Sequence, residues 1–127
     1  MTEFTVHLAN RPGMLAMLAE QIASAGVNID ALAAYGFGEE GRVHLMVGDA
    51  LAVRALLRRA GLSFEEREVL VTTLSHRPGA MAAMARGLAD AGVNIEALYL
   101  LRCSAEGMQF AISVDDPDAA RRHLPAS

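Results

Sequence analysis

The 127 residues carry 53% hydrophobic and 20% charged side chains, and 11 Lys plus Arg against 15 Asp plus Glu give a net charge of −4. This is the composition of a globular chain with ample apolar material for a core, not of a disordered one. The basic residues are scattered, which argues against a nucleic-acid partner, because neutralising phosphates needs a basic face.

Cys103 is the single cysteine, so no internal disulfide framework exists and a reducing compartment fits. Met1-Thr2-Glu3-Phe4 shows no basic region leading into an apolar run, and no uncharged apolar stretch reaches the roughly 18 residues of a membrane span. The expectation is a cytoplasmic protein with no membrane partner and no cofactor.

Glu3 to Ala9 alternates, with Phe4, Val6 and Leu8 facing one way and Thr5 and His7 the other, which is the pattern of a half-buried strand. Pro12 suits the first position of a helix. From Gly13 to Ala25 the residues Leu15, Leu18, Ala19 and Ile22 fall on one stripe, and Gly26 stands where a left-handed helix terminator belongs. Asn28 to Tyr35 reads as a second strand, Gly36 to Gly41 as a loop, and Arg42 to Val47 as a third strand with Val43, Leu45 and Val47 inward. Asp49 caps a second helix running to about Ala60, and Phe64 to Glu68 is a fourth strand with a solvated charged edge. With no turn signal before Val69, residues 64–74 can form one long strand serving both halves of the chain.

The second half repeats the first. Arg11 and Arg77 are 66 residues apart, as are Asn28 and Asn94, and 14 of the 25 positions from Leu8 to Leu32 are identical at that offset. Such a repeat means one small unit used twice. Past the second hairpin the inward pattern survives only at an offset of 67, which pairs Val43, Leu45 and Val47 with Phe110, Ile112 and Val114. The second hairpin loop is therefore expected to be one residue longer. After Leu124 only Pro125, Ala126 and Ser127 remain, too few for a fourth strand, so the second unit is expected to lack its last strand. The division expected is residues 1–68 and 69–127. Units of this size are marginally stable alone, which together with the open edge predicts a homodimer.

The strand-to-helix corner is where chemistry can sit. Gly13 lets a ligand approach the backbone, and the first helical turn offers free N–H groups to a carboxylate or phosphate. Asn10 and Asn28 each carry an amide that meets a carboxylate with its NH₂ or an ammonium with its oxygen. Against this, Pro-Gly is a common turn, and an Asn after Gly-Val often does no more than start a strand. Methionines at helical spacing (Met14, Met17, Met81, Met84) are more often packing than site. The four histidines show no metal-ligand spacing, and Cys103 has no base near it in sequence, so it reads as a buried or idle thiol.

Asn10-Arg11-Pro12-Gly13…Gly26-Val27-Asn28-Ile29 and its second copy resemble the motif of the ACT domain, an amino-acid-binding regulatory module of biosynthetic enzymes such as phosphoglycerate dehydrogenase and the acetolactate synthase regulatory subunit. The resemblance covers nearly the whole chain. It implies an α+β fold of two tandem ferredoxin-like βαββαβ units with antiparallel sheets, which pair side by side. It also implies an effector bound where the first corner of one unit meets the second strand of its neighbour. By motif position one site comprises Asn10, Arg11, Pro12, Gly13, Met14, Leu15, Asn28 and Ile29, and the other His76, Arg77, Pro78, Gly79, Ala80, Met81, Asn94 and Ile95. Two departures stand out: His76 replaces Asn10, and Leu8 and Leu74 stand where serine sensors carry a polar residue. The expected function is a non-catalytic regulatory module that binds an amino acid and acts on a partner, such as a biosynthetic enzyme. The alternative is a subunit-like interaction module with vestigial ligand sites. No nucleophile–base pair, metal cluster or phosphate loop suggests an enzyme, and the sheet offers no aromatic platform for RNA.

Overall fold

The computed structural model describes residues 1–125. The chain divides into two compact units, Met1–Arg67 and the part from Glu68 onward. The first runs β1 (Thr2–Ala9), α1 (Met14–Ser24), β2 (Ile29–Phe37), β3 (Glu40–Val47), α2 (Ala50–Arg59) and β4 (Ser63–Glu68). Its sheet has the order β2-β3-β1-β4, with β3 antiparallel to both β1 and β2. The second unit runs β5 (Leu70–Leu74), α3 (Ala80–Asp90), β6 (Ile95–Ser104), β7 (Gly107–Val114) and α4 (Pro117–Arg121), with the sheet order β5-β7-β6. This is the α+β arrangement of two βαββαβ-type units expected from the sequence, and among the described residues no strand follows α4.

Strand alternation decides each core. Phe4, Val6 and Leu8 of β1 are buried with Val43, Leu45 and Val47 of β3 beneath Leu18 and Ile22 of α1 and Val53, Leu56 and Leu57 of α2. The helix stripe is narrower than the sequence reading: Leu15 is 43% exposed and Ala19 is also exposed, so Leu18 and Ile22 anchor α1 with Met14 partly buried beside them. Pro12 lies one residue outside the cap. Gly13 takes that role in the left-handed conformation (φ 89°), and Gly79 repeats it before α3 (φ 88°). Asp49 caps α2 as expected, its carboxylate accepting from the Ala52 N–H at 3.1 Å.

Three expectations need correcting. Residues 36–41 are not an open loop, because β2 and β3 continue to a tight turn in which Phe37 pairs with Glu40. The second hairpin is no longer than the first, since Ser104 pairs with Gly107 across an equally short turn. The extra residue is Leu101, accommodated where the register of β6 shifts between Leu100 and Arg102, a bulge within the strand. Finally, residues 64–74 are not one strand: β4 and β5 belong to different sheets and are separated at buried Val69.

The charged run of β4 is paired rather than simply solvated. Glu65 meets His7 at 2.6 Å, and Arg67 donates at 2.6 Å to Glu3, a fully buried carboxylate. Arg54 of α2 grips Glu66 with two hydrogen bonds of 2.7 and 2.6 Å, and Glu68, the first residue of the second unit, pairs with Arg121 of that unit. The hydrogen bond from Arg54 holds the Glu66 carboxyl below its ordinary range.

Two predictions follow from this packing. Phe4→Ala empties the centre of the first core and is expected to lower unfolding free energy by about 3–5 kcal/mol in urea titrations. The depressed Glu66 carboxyl contributes stability that is present above about pH 4.3 and is lost as pH falls further. Glu66→Gln is therefore expected to flatten part of the decline in urea midpoint between about pH 5 and 3.

Candidate functional site

The corner between β1 and α1 is built by backbone bonds. Asn10 N–H donates to Glu39 O at 2.8 Å and Arg11 N–H to Ala9 O at 3.0 Å, while Met17 N–H reaches Gly13 O at 2.9 Å. No side chain caps α1; Met14 N–H donates to Arg11 O at 3.4 Å, which leaves the N–H groups of Leu15 and Ala16 in its first turn for a ligand. Asn10 is fixed from below: its Nδ2 donates to Gly38 O at 2.9 Å, across the β2–β3 turn. That contact requires Gly36, where an added Cβ would sit 2.4 Å from Asn10 Nδ2. With one N–H engaged, the Asn10 carbonyl oxygen is left as the group to accept from a ligand.

Around this corner lies a cleft of about 230 Å³. Asn10, Arg11, Met14 and Leu15 form one side, Leu8 and Ala9 end it, and Ala34–Gly36 with Gly41–Val43 form the other. Four of the candidate residues are thus brought together. Pro12 and Gly13 shape the turn. Ala34, Tyr35 and Arg42 lie in stretches that read as strand, with nothing in the strand pattern to mark them as part of a site, while Gly36 and Gly41, which read as loop, face one another in the register and were the available signal.

Asn28 and Ile29 lie at the other end of α1, an 11-residue helix about 16 Å long. Asn28 lines a separate polar cleft with Gly26, Val27, Asp30, Gly48 and Asp49. Within one unit, the two halves of the motif do not share a cavity.

The second unit does not reproduce the first corner. Arg77 N–H donates to Ser75 O at 2.9 Å and Gly79 begins α3 as Gly13 begins α1. By pairing register, however, Cys103 occupies the place of Gly36 and Arg102 that of Tyr35, while His76 replaces Asn10. Arg77 and Ala80 line a cleft of about 460 Å³ on the β5 side of α3, together with Leu74, Ala83, Met84, His123 and others. His76, Pro78, Gly79 and Met81 are not among its lining residues. Asn94 is held through its backbone, which donates to the Asp115 carboxylate at 2.9 Å and accepts from the Asp115 N–H at 3.1 Å, with Ile95 next to it at the start of β6. Cys103 is exposed, not buried.

A further polar group lies on the strands of the first unit. The two ring nitrogens of His44 lie 3.1 Å from Thr5 Oγ1 and 3.1 Å from Tyr35 Oη, and the rings of His44 and Tyr35 stack at 5.7 Å. The sequence places Thr5 and His7 on this face but gives no sign of the link through Tyr35. The described residues contain no group of three or more His, Cys, Asp or Glu able to hold a metal, and no helix long and apolar enough to cross a membrane.

No protein-family model matches the chain, and no curated protein matches it in sequence. Solved structures do. A protein from Bacteroides thetaiotaomicron is similar with a TM-score of 0.85 at 21% identity, over 95% of this chain and 83% of that one. The regulatory subunit of aspartate kinase from Thermus thermophilus, in its ligand-free form, gives 0.70 at 18% identity, over 97% and 87%. The aspartate kinase from Synechocystis gives 0.62 at 19% identity, over 94% of this chain and 23% of that one. These likenesses show the fold, which is the tandem ACT-like one.

Gly36→Ala is expected to displace Asn10, cost about 1–3 kcal/mol of stability and broaden the amide signals of residues 10–15. Gly48→Ala, where nothing lies within 4 Å of the added Cβ, is the control and leaves the urea midpoint unchanged.

Proposed function

We propose that this chain is a non-catalytic regulatory module that binds an amino acid between ACT-like units and acts on a partner protein. The observation that carries the reading is the cleft beneath Asn10. It offers uncapped helix N–H groups and Arg11 to a carboxylate, the Asn10 oxygen to an ammonium, and Met14, Leu15 and Ala34 to an apolar side chain. A zwitterion with an aliphatic or aromatic side chain matches all three.

The separation of Asn28 from Asn10 supports a site completed by another unit. β2 is a sheet edge, and Ile29, Leu32 and Leu15 are 38%, 44% and 43% exposed along that edge and the adjoining helix. Two copies meeting there would cover apolar surface and bring the Asn28 end of one β2 toward the Asn10 corner of the other. The proposed assembly is therefore a homodimer. The similarity to a regulatory subunit of aspartate kinase suggests, as the partner, an enzyme of amino-acid biosynthesis.

The altered corner of the second unit, with His76 and Cys103 for Asn10 and Gly36, favours the reading that this copy has no effector site of its own. The whole chain would then carry one working site per copy.

A thermal-shift screen of the twenty amino acids tests the proposal. An effector at about 100 times its dissociation constant stabilises the fold by about 2.7 kcal/mol, and the absence of any shift at millimolar concentrations would contradict effector binding. Asn28→Ala is expected to weaken that shift while leaving the unliganded melting point within about 1 °C, and Asn94→Ala to affect neither if the second copy is silent. Light scattering is expected to give a dimer at micromolar concentration, and Leu32→Asp to give a monomer.

A further inference from the structure

The pairing registers let the two units be compared place by place. In the first, the sheet wall of the effector cleft is Ala34 opposite Val43 and Gly36 opposite Gly41. In the second, the corresponding pairs are Leu100 opposite Phe110 and Cys103 opposite Met108. All four places carry a larger side chain there, and the hairpin still pairs down to its turn. Strand pairing therefore accepts bulk at these places. Gly36 is accounted for by the close seat of Asn10. Ala34, where the second unit has a leucine, is not required by the fold. What its small side chain does is leave room.

Alternation places Ala34 and Val43 on the core face of the sheet with Leu8, and Met14 and Leu15 of α1 line the same cleft. Tyr35 and Arg42, the next pair, belong to the opposite face, where Tyr35 Oη lies 3.1 Å from His44 Nε2. The part of the cleft beyond Asn10 is thus walled by Leu8, Met14, Leu15, Ala34 and Val43. Not one of these five side chains carries a hydroxyl, an amide or a charge.

We propose that Ala34 sets the size of the side chain the cleft accepts, and that the effector is an amino acid with a large apolar side chain, such as leucine or phenylalanine. The inference rests on the reading of this cleft as an amino-acid site and narrows it. A large apolar side chain covers the wall and displaces water from it, whereas the methyl of alanine leaves most of it uncovered. A serine hydroxyl or an aspartate carboxylate turned to the same wall loses water and gains no partner. Each methylene seated in such a slot changes affinity by about tenfold or more. A leucine in the place of Ala34 takes up the room the effector needs, and the second unit has that residue at Leu100.

Calorimetric dissociation constants of leucine, phenylalanine, alanine and serine, for the full natural chain and for Ala34→Leu, test the proposal. The natural chain is expected to bind leucine and phenylalanine at least tenfold tighter than alanine or serine. In Ala34→Leu the ratio of leucine to alanine affinity is expected to fall at least tenfold, with the unliganded melting point and the oligomeric state by light scattering unchanged. Should Ala34→Leu fail to fold, or bind none of the four, Ala34→Val is read in its place and is expected to lower the ratio at least threefold. Alanine or serine binding the natural chain as tightly as leucine, or tighter, overturns the proposal. So does a ratio left unchanged by the variant, and an equal loss for both amino acids counts as unchanged. If the natural chain binds none of the twenty amino acids, the effector reading fails together with this one. If it binds amino acids without preferring the large apolar ones, only this inference fails.

Discussion

The first unit hangs on the contact between one apolar sheet face and two helices. Phe4, Val6 and Leu8 stand on β1, the central strand between β3 and β4, and nothing else in so short a unit can supply a comparable core. α1 reaches that face because Gly13 turns the chain sharply at the end of β1, and α2 reaches it because Asp49 starts the helix directly after β3. The uncapped start of α1 and the Asn10 corner are by-products of the same turn. The place suited to a ligand is thus set by the demands of the core.

The repeat made most of this legible. Inward alternation in three strands, the glycine after each first helix and the aspartate before each second helix are local signals, and each has one structural meaning. What the sequence concealed depends on pairing. Leu101 looks like loop growth when only an offset is counted, because a bulge and a longer turn shift the pattern equally; the register of β6 against β7 separates them. Leu15 belongs to the helical stripe by spacing, yet α1 lies on the sheet through Leu18 and Ile22 and leaves Leu15 over the β2 edge. The charges of β4 looked solvated because their partners, His7 for Glu65, Arg54 for Glu66 and Glu3 for Arg67, are distant in sequence.

The candidate site was half legible. Asn10 and Arg11 follow from the motif, but nothing in the strand pattern marks Ala34 and Tyr35 as a wall, and the close seat of Asn10 on Gly36 needs three dimensions to see. That contact also separates the two copies. A glycine and an asparagine are replaced by Cys103 and His76, and the cleft of the second unit is lined by the end of β5 and by α3 without residues of β6 or β7.

The central claim is that the Asn10 corner of one copy and the Asn28 end of another hold the same effector. The direct measurement is a crystal structure of the full chain grown with whichever amino acid raises its melting point. The account predicts the effector's carboxylate at the first turn of α1, its ammonium at the Asn10 oxygen, and Asn28 of a second copy within hydrogen-bond distance. An effector seated elsewhere, or one enclosed within a single unit with Asn28 remote, would contradict it.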